Sequence, residues 1–290
     1  MKTLENQINE IKNQKSSRIN KYQALIKLGL RDHEIGILFD MWASDTQKAK
    51  RFSFTFGVEI ECNITQQLVE THFTQNGVNY QYEGYNHRDN KTYYKFVRDA
   101  SVTGNSPIEC VSPVLTGTNK GFDSLKACCD SLNEGNAQVN RSCGLHVHIG
   151  GNISEKQFAN VFHNYSMLEN VIDTFMAQSR RADNNIYCHS MAGLNFENCN
   201  TVSDVQSVCS HDRYFKVNSM AWNRHHTIEF RQHQGTTNYE KISNWVKFCA
   251  QLVAWSKDHR FESPITSIDE IEFLTKEQKE YFSNRVEQLA

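Results

Sequence analysis

The chain has 290 residues, is 39% hydrophobic and 22% charged, and carries a formal net charge of −2. Such a composition belongs to a globular protein of one or two domains with a sizeable core, and it excludes disordered, collagen-like and coiled-coil classes. No run approaches the ~18 apolar residues of a membrane span, and the N-terminus is polar rather than leader-like; nine Cys with no Cys-x-x-Cys spacing point to reduced thiols in a cytoplasmic protein, not to a disulfide framework or a thiolate zinc site.

Residues 1–51 carry ten Lys or Arg against six acids, a local charge of +4 that leaves −6 for the rest. A solvated helical surface accounts for this excess, and nucleic acid is disfavoured as a partner. Ile8, Ile11, Tyr22, Leu25 and Ile26, then Ile35, Leu38, Phe39 and Trp42, follow the helical period on either side of Gly29. A helical extension packed on the main domain is expected. The alternative, a DNA-reading helix-turn-helix, is opposed by Asp32, Glu34 and Asp40 on its second helix.

From Phe52 to Ile64 apolar residues alternate with Ser53, Thr55, Gly57, Glu59, Glu61 and Asn63, which predicts a long half-buried strand. Val78, Tyr80 and Tyr82 and then residues 92–97 flank the turn-rich 86–90 and predict a hairpin. A short strand at 108–111, a helix at 121–132 and a strand at 144–149 follow. Ser154-Glu-Lys-Gln157 has the form of a capping box ahead of a helical stripe from Phe158 to Met176. Residues 183–212 show no period and read as a long loop. A strand at 226–233 and helices at 239–256 and 275–288 complete the chain.

The chemistry lies on the polar strand faces. Glu59 and Glu61 project from one face, His146 and His148 from one face, and Glu229 and Arg231 from one face, each opposite buried-type residues. Taken singly, each pair also fits a solvated face or a structural ion pair. If the strands form one antiparallel sheet, Glu59, Glu61, Glu109, Glu229 and a His converge, and so many carboxylates cannot all stay ionised without cations between them. Oxygen-rich ligation with imidazole and no thiolate favours Mg2+ or Mn2+. Arg231 beside Glu229 is then a fork donor for a phosphoryl group, which implies ATP-dependent chemistry. No Walker loop, kinase signature or dinucleotide fingerprint is present. Cys143, near His146, is a candidate nucleophile with little support.

Five motifs in order, Phe56-Gly-Val-Glu-Ile-Glu61, Asp99-Ala-Ser101 with Ile108-Glu-Cys-Val-Ser-Pro113, Cys143-Gly-Leu-His-Val-His148, Arg213-Tyr-Phe-Lys-Val-Asn218, and Thr227-Ile-Glu-Phe-Arg231 with Gly235-Thr236, closely resemble the amidoligase family. These are carboxylate–amine ligases related to glutamine synthetase and glutamate-cysteine ligase. The resemblance implies an α+β, glutamine-synthetase-like fold: a mainly antiparallel twisted sheet forming an open funnel, with helices on its outer face. It implies a catalytic domain at 52–257, flanked by the extension 1–51 and a helical tail 258–290 packed on it. Glu59, Glu61, Glu109, His146 and Glu229 are the implied metal ligands, and Glu59, Glu229 and Arg231 the catalytic set. His148, Arg213, Asn218 and Arg231 would contact nucleotide, phosphate or substrate. Arg180 and Arg181 resemble a basic segment of the family, and Asp99 is the best additional acid.

The activity so implied is ATP-dependent formation of an amide or isopeptide bond through an acyl phosphate, on the carboxylate of an amino acid, peptide or protein. The alternatives are a metal-dependent amide hydrolase, a cupin-like metalloenzyme using His146, His148 and Glu155, and a non-catalytic nucleotide- or peptide-binding module of the same fold.

Overall fold

The computed structural model describes residues 2–14, 16–39, 53–84, 86, 88 and 92–289. It divides into two compact units, Met1–Phe52 and Ser53–Ala290.

The first unit contains α1 (Leu4–Asn13), α2 (Arg18–Lys27) and α3 (residues 32–39). Thr3 and Ser17 cap the first two helices by accepting the backbone N–H of Asn6 and Asn20. Gly29, at φ 88°, ends α2 in a left-handed turn that a side chain would strain, and it returns the Leu30 N–H to the Leu25 carbonyl. Ile11, Leu25 and Ile35 form the core, with Leu38 and Phe39 against it. Trp42, expected on the same stripe, lies outside the described residues.

In the second unit β1 (Phe54–Asn63) is the central strand. The others are β2 (Tyr80–Gly84), β3 (Tyr94–Val97), β4 (Pro107–Val111), β5 (Leu115–Thr116), β6 (Gly144–Gly151), β7 (Val217–Asn218) and β8 (Thr227–Gln234). They pair in the order β2-β3-β4-β1-β6-β8-β7, with β5 also on β1. All pairs are antiparallel except β2 and β3. The fold is therefore α+β with a mixed, mostly antiparallel sheet.

Period-2 alternation decides which face is covered. Phe56, Val58, Ile60, Leu145, Val147, Ile149, Ile228 and Phe230 are at most 1% exposed. Helices α5 (Asn119–Glu134), α9 (Tyr239–Trp255) and α6 (Glu155–Thr174) form one neighbouring set, α9 contacting both of the others and β6. The helix α10 (Lys276–Leu289) adds Phe282, whose ring lies 4.6 Å from Phe175 and 5.5 Å from Phe248.

Several expectations are corrected. The anticipated hairpin is a parallel pair, with Tyr80 opposite Tyr94 and Tyr82 opposite Phe96. The buried Lys95 ammonium donates to the carbonyls of Asn86 and Arg88 at 2.7 Å each. Alternation is the same for either strand direction, so polarity was not legible. The capping box of α6 is half made: Ser154 accepts the Gln157 N–H, but the Gln157 amide donates to Val253 O instead. That bond begins a buried polar ladder, continued by Asn160 to Ser256 O, Asn164 to Ser256 Oγ and His163 to Phe261 O, which ties the polar side of α6 to the end of α9. The long loop contains a short helix, α7 (Val202–Val208), with its own capping box from Thr201 and Asp204. Two further helices, α4 (Gln66–Gln75) and α8 (Ala221–His225), were not anticipated.

Phe230 is fully buried, with its ring centroid 5.8 Å from that of Tyr165. Phe230→Ala is expected to destabilise the protein by about 3–5 kcal/mol, read from the midpoint of a urea transition at unchanged slope.

Candidate active site

Strand pairing brings the polar positions together. Glu61 stands opposite Glu109, Glu59 opposite His146, His148 opposite Glu229, and Glu229 opposite Asn218. Opposed residues on one face have Cβ atoms about 4.5–5.5 Å apart, so the carboxylates and imidazoles form one contiguous patch.

His146 Nδ1 is 2.8 Å from Glu59 Oε2 and 3.8 Å from Glu229 Oε1, and its Nε2 is 3.7 Å from Glu61 Oε1. Glu229 accepts from Arg231 Nη1 and from Asn218 Nδ2, at 2.5 Å each. Glu61 accepts the Gly144 N–H at 2.5 Å. His148 Nδ1 meets Thr227 Oγ1 at 2.9 Å. Its Nε2 lies 3.4 Å from Glu59 Oε1, but misaligned, and so remains a buried nitrogen with no hydrogen-bond partner. Glu109 is buried, and its carboxylate receives no hydrogen bond from a described residue.

Charge is therefore unevenly balanced. Burial alone would raise Glu59, but the approach of His146 and His148 outweighs it and holds the carboxyl well below its usual range. Burial also opposes ionisation of Glu229, yet the Arg231 guanidinium and the His148 imidazole keep it at about 2. Burial would lower His148, and the charges of Glu229 and Glu59 raise it instead. Glu109 has no such counter-charge: burial, then Glu59, Glu61, Asp99 and Glu229, push it well above the carboxylate range.

Three groups of side chains offer donor atoms lying within 4.8 Å of one another: Glu59, Glu109 and His146; Glu59, His148 and Glu229; and Glu61, Asp99 and Glu109. The partnerless His148 Nε2 and the undonated Glu109 carboxyl fit hard divalent cations, and the oxygen-rich donor set suits magnesium or manganese.

Two cavities reach this patch. The larger, about 660 Å³, is lined by Arg180, Arg213, Tyr214, Asn218 and Arg231 together with the acids. The smaller, about 310 Å³, is lined by Val111, Pro113, Val114, Arg88 and Lys95. Glu59, Glu109, His148 and His225 line both.

The structure brings Glu59, Glu61, Asp99, Glu109, His146, His148, Asn218, Glu229 and Arg231 into one site. Arg213 is exposed at the rim, its guanidinium 5.5 Å over the Tyr214 ring. Arg180 is buried in the cleft wall, whereas Arg181 turns away to Met176 O, Thr174 O and Leu289 O. Glu155 lies apart at the start of α6, accepting the Val202 N–H, so a His146, His148, Glu155 ligand set does not form. Cys143 is buried and its thiol pushed up mainly by that burial, contrary to what a nucleophile needs. Tyr187 and Tyr214 were missed. Their rings lie 5.6 Å apart, and Tyr187 O accepts the Arg231 Nε–H at 3.3 Å. Tyr187 sits in the aperiodic 183–212 segment, where no sequence signal marks it, whereas Tyr214 lies inside the Arg213–Asn218 motif without being singled out there.

Residues 53–253 match the family described as "Putative amidoligase enzyme". The chain belongs to this amidoligase family. No curated protein sequence matches it. Among solved structures it is similar to the crystal structure of a bifunctional glutathione synthetase from Pasteurella multocida, with TM-score 0.43 and 11% identity over 84% of this chain and 48% of that one. The amidoligase thus spans about half the length of that protein. The family match runs from the residue before β1 into α9 and contains every residue of the acidic patch.

The crowded acids of this amidoligase give a stability signature. A carboxyl raised in the folded state stabilises while protonated, and that contribution is lost as pH rises through its folded pKa. In chelator, Glu109→Gln is expected to be more stable than the parent, by a margin that widens from about pH 5 to about pH 8. Magnesium at about a hundredfold over its Kd should stabilise the parent by about 2.7 kcal/mol and the variant less. Urea melts at each pH, with and without magnesium, measure both effects.

Proposed function

We propose that this protein is an ATP-dependent carboxylate–amine ligase that forms an amide or isopeptide bond through an acyl phosphate, on the carboxylate of an amino acid, peptide or protein. The observation that carries the reading is the convergence of two cavities on one set of acids, Glu59 and Glu109 with His148. Such a junction is what a glutamine-synthetase-like funnel requires. One ligand enters from each side, and the reacting groups meet in the middle.

The smaller cavity combines apolar walls with Arg88 and Lys95, which suits a nucleotide and its phosphates. The larger cleft, with its arginines and Asn218, suits the acid and the amine. Glu59, Glu61, Asp99, Glu109, His146, His148 and Glu229 would hold magnesium or manganese, which when bound neutralises phosphoryl oxygens and makes the phosphorus more electrophilic. Arg231, fixed by Glu229 Oε1 and Tyr187 O, keeps its remaining N–H groups for the equatorial oxygens of the group in transfer. Asn218 buttresses Glu229, and Arg213 guides anions at the rim. The substrate carboxylate attacks the terminal phosphorus and ADP departs. The amine then attacks the acyl carbon and phosphate departs. The proton that the amine sheds leaves on the departing phosphate. No protein nucleophile is needed.

The nine cysteines are free and buried, which supports a reducing, cytoplasmic setting. Among the described residues no helix is long and apolar enough to cross a membrane. Residues 52–257 form the catalytic domain in this reading, with 1–51 and 258–290 as its flanking helical segments.

The test is mass spectrometry of a reaction holding ATP, magnesium and pooled amino acids and peptides, looking for loss of water between two components. ADP and phosphate should form in an acceptor-dependent manner, and hydroxylamine should trap a hydroxamate. AMP and pyrophosphate as products would sink the acyl-phosphate mechanism. Glu229→Gln, whose single amide oxygen still accepts from one of Arg231 and Asn218, should abolish ADP formation in a folded protein. Arg231→Ala should also abolish it, but leaves Glu229 buried and unpaired and so costs about 3–5 kcal/mol of stability; full ATP turnover by either variant removes these residues from the site.

A further inference from the structure

The mouth of the larger cleft differs from its floor. The acids of the floor are buried or half-buried, whereas every exposed charged residue that lines the cleft is an arginine: Arg98 just after β3, Arg213 ahead of β7 and Arg224 on α8. None of the three forms an ion pair with a described residue. Their positive field is therefore unbalanced at the entrance, and it reaches about 8 Å into solvent at physiological ionic strength.

Apolar surface gathers at the same entrance. Six large apolar side chains are exposed among the described residues of the second unit, and three of them are Ile186 at 68%, Tyr187 at 40% and Tyr214 at 37%. Tyr187 and Tyr214 line the cleft, their rings 5.6 Å apart and inclined at 70°. Backbone contacts hold both in place. The Tyr187 N–H donates to Asn185 Oδ1 and the Tyr214 N–H to Asp212 Oδ1, at 2.9 Å each, and Tyr214 O accepts the His189 N–H at 2.6 Å. A fixed pair of tyrosines offers large contact area at small entropic cost.

The pair also joins the surface to the chemistry. The Tyr214 ring has the buried Arg231 guanidinium 5.8 Å from its centroid and the exposed Arg213 guanidinium at 5.5 Å. A ligand following this path from the acidic patch to the rim covers up to about 11 Å, or about three residues of extended chain. A single amino acid held at Arg231 is too short to reach Arg213 as well.

We propose that the mouth of the larger cleft docks an acidic segment of a polypeptide, an aromatic side chain of that segment packing on Tyr187 and Tyr214, and that one side-chain carboxylate of the segment is the acid to be activated. The last clause rests on the ligase reading; the docking surface does not. Arg98, Arg213 and Arg224 steer acidic chain into the cleft and repel basic chain, which gives encounter rate and selectivity. The tyrosines add aromatic contact where the chain leaves the cleft. Charge and ring are thus required in one ligand, a combination that neither a free acidic amino acid nor a basic peptide supplies.

The experiment is fluorescence anisotropy of the full chain in magnesium chloride with a fluorescein-labelled, C-terminally amidated peptide of alternating Glu and Phe, six residues long. Two reference peptides carry Ser in place of Phe or Lys in place of Glu. The Glu/Phe peptide should bind about tenfold or more tightly than either, and its advantage over the Lys peptide should shrink as salt is raised. Tyr187→Ser combined with Tyr214→Ser should bring it to the level of the Ser peptide. That variant keeps the backbone carbonyls that hold Arg231 and His189, and its melting temperature shows that it folds. Arg98→Gln combined with Arg224→Gln should flatten the salt dependence. Equal binding of the three peptides to the parent chain overturns the inference even if no variant folds; so does a Phe preference that survives loss of both tyrosines. ADP release with hydroxylamine as acceptor separates the two readings. The expected binding pattern without peptide-dependent ADP release leaves the docking surface standing and removes the ligase reading. ADP release as fast with free glutamate as with the Glu/Phe peptide leaves the ligase and removes the polypeptide substrate.

Discussion

Like-charge repulsion among Glu59, Glu61, Glu109 and Glu229 is the constraint around which the second unit is arranged. The strands that carry them lie in one sheet, and the burial of Glu61, Glu109 and Glu229 keeps water from screening their charge. His146, His148, Arg231 and Asn218 answer it for Glu59 and Glu229. Glu109 is left with acids around it and a raised proton affinity. A site in this condition is destabilised as a bare protein and suited to taking up cations, which is a common bargain at functional sites.

The reverse face of the sheet supports that patch with a second buried ionic cluster. Lys216, fully buried, donates to Glu169 Oε1 and Asp173 Oδ1 at 2.7 Å each. Glu169 in turn receives Ser190 Oγ–H and Met191 N–H, and Asp173 receives Ala182 N–H, so the chain around residues 182–191 is anchored from below. Gln232 bonds Asp173 and the Arg180 carbonyl. These contacts fix the backbone from which Arg180 and Tyr187 enter the cleft. They give the long aperiodic segment a defined path without regular structure.

The two cavities differ in chemistry as well as size. The smaller has apolar walls and two basic side chains, while the larger collects arginines and tyrosines around the acids. The two share a floor at Glu59, Glu109 and His148.

The amino-acid order by itself determined the alternation of β1, β6 and β8, and with it which side chains share the polar face. Period 2 is a local property of extended chain, so Glu59 with Glu61, His146 with His148 and Glu229 with Arg231 were legible without any partner strand. The helices of the apolar layer were legible for the same reason at period 3.6. Strand order, direction and register depend on contacts between distant segments, and only the tertiary structure decided them. It alone placed Glu61 against Glu109 and Glu229 against His148, and made β2 and β3 parallel. The roles of Arg180 and Arg181 show the difference most sharply: adjacent and alike in sequence, one is buried in the cleft wall and the other caps the end of α6, because a single residue step at the end of a 3-10 turn sends the two guanidinium groups to different surroundings.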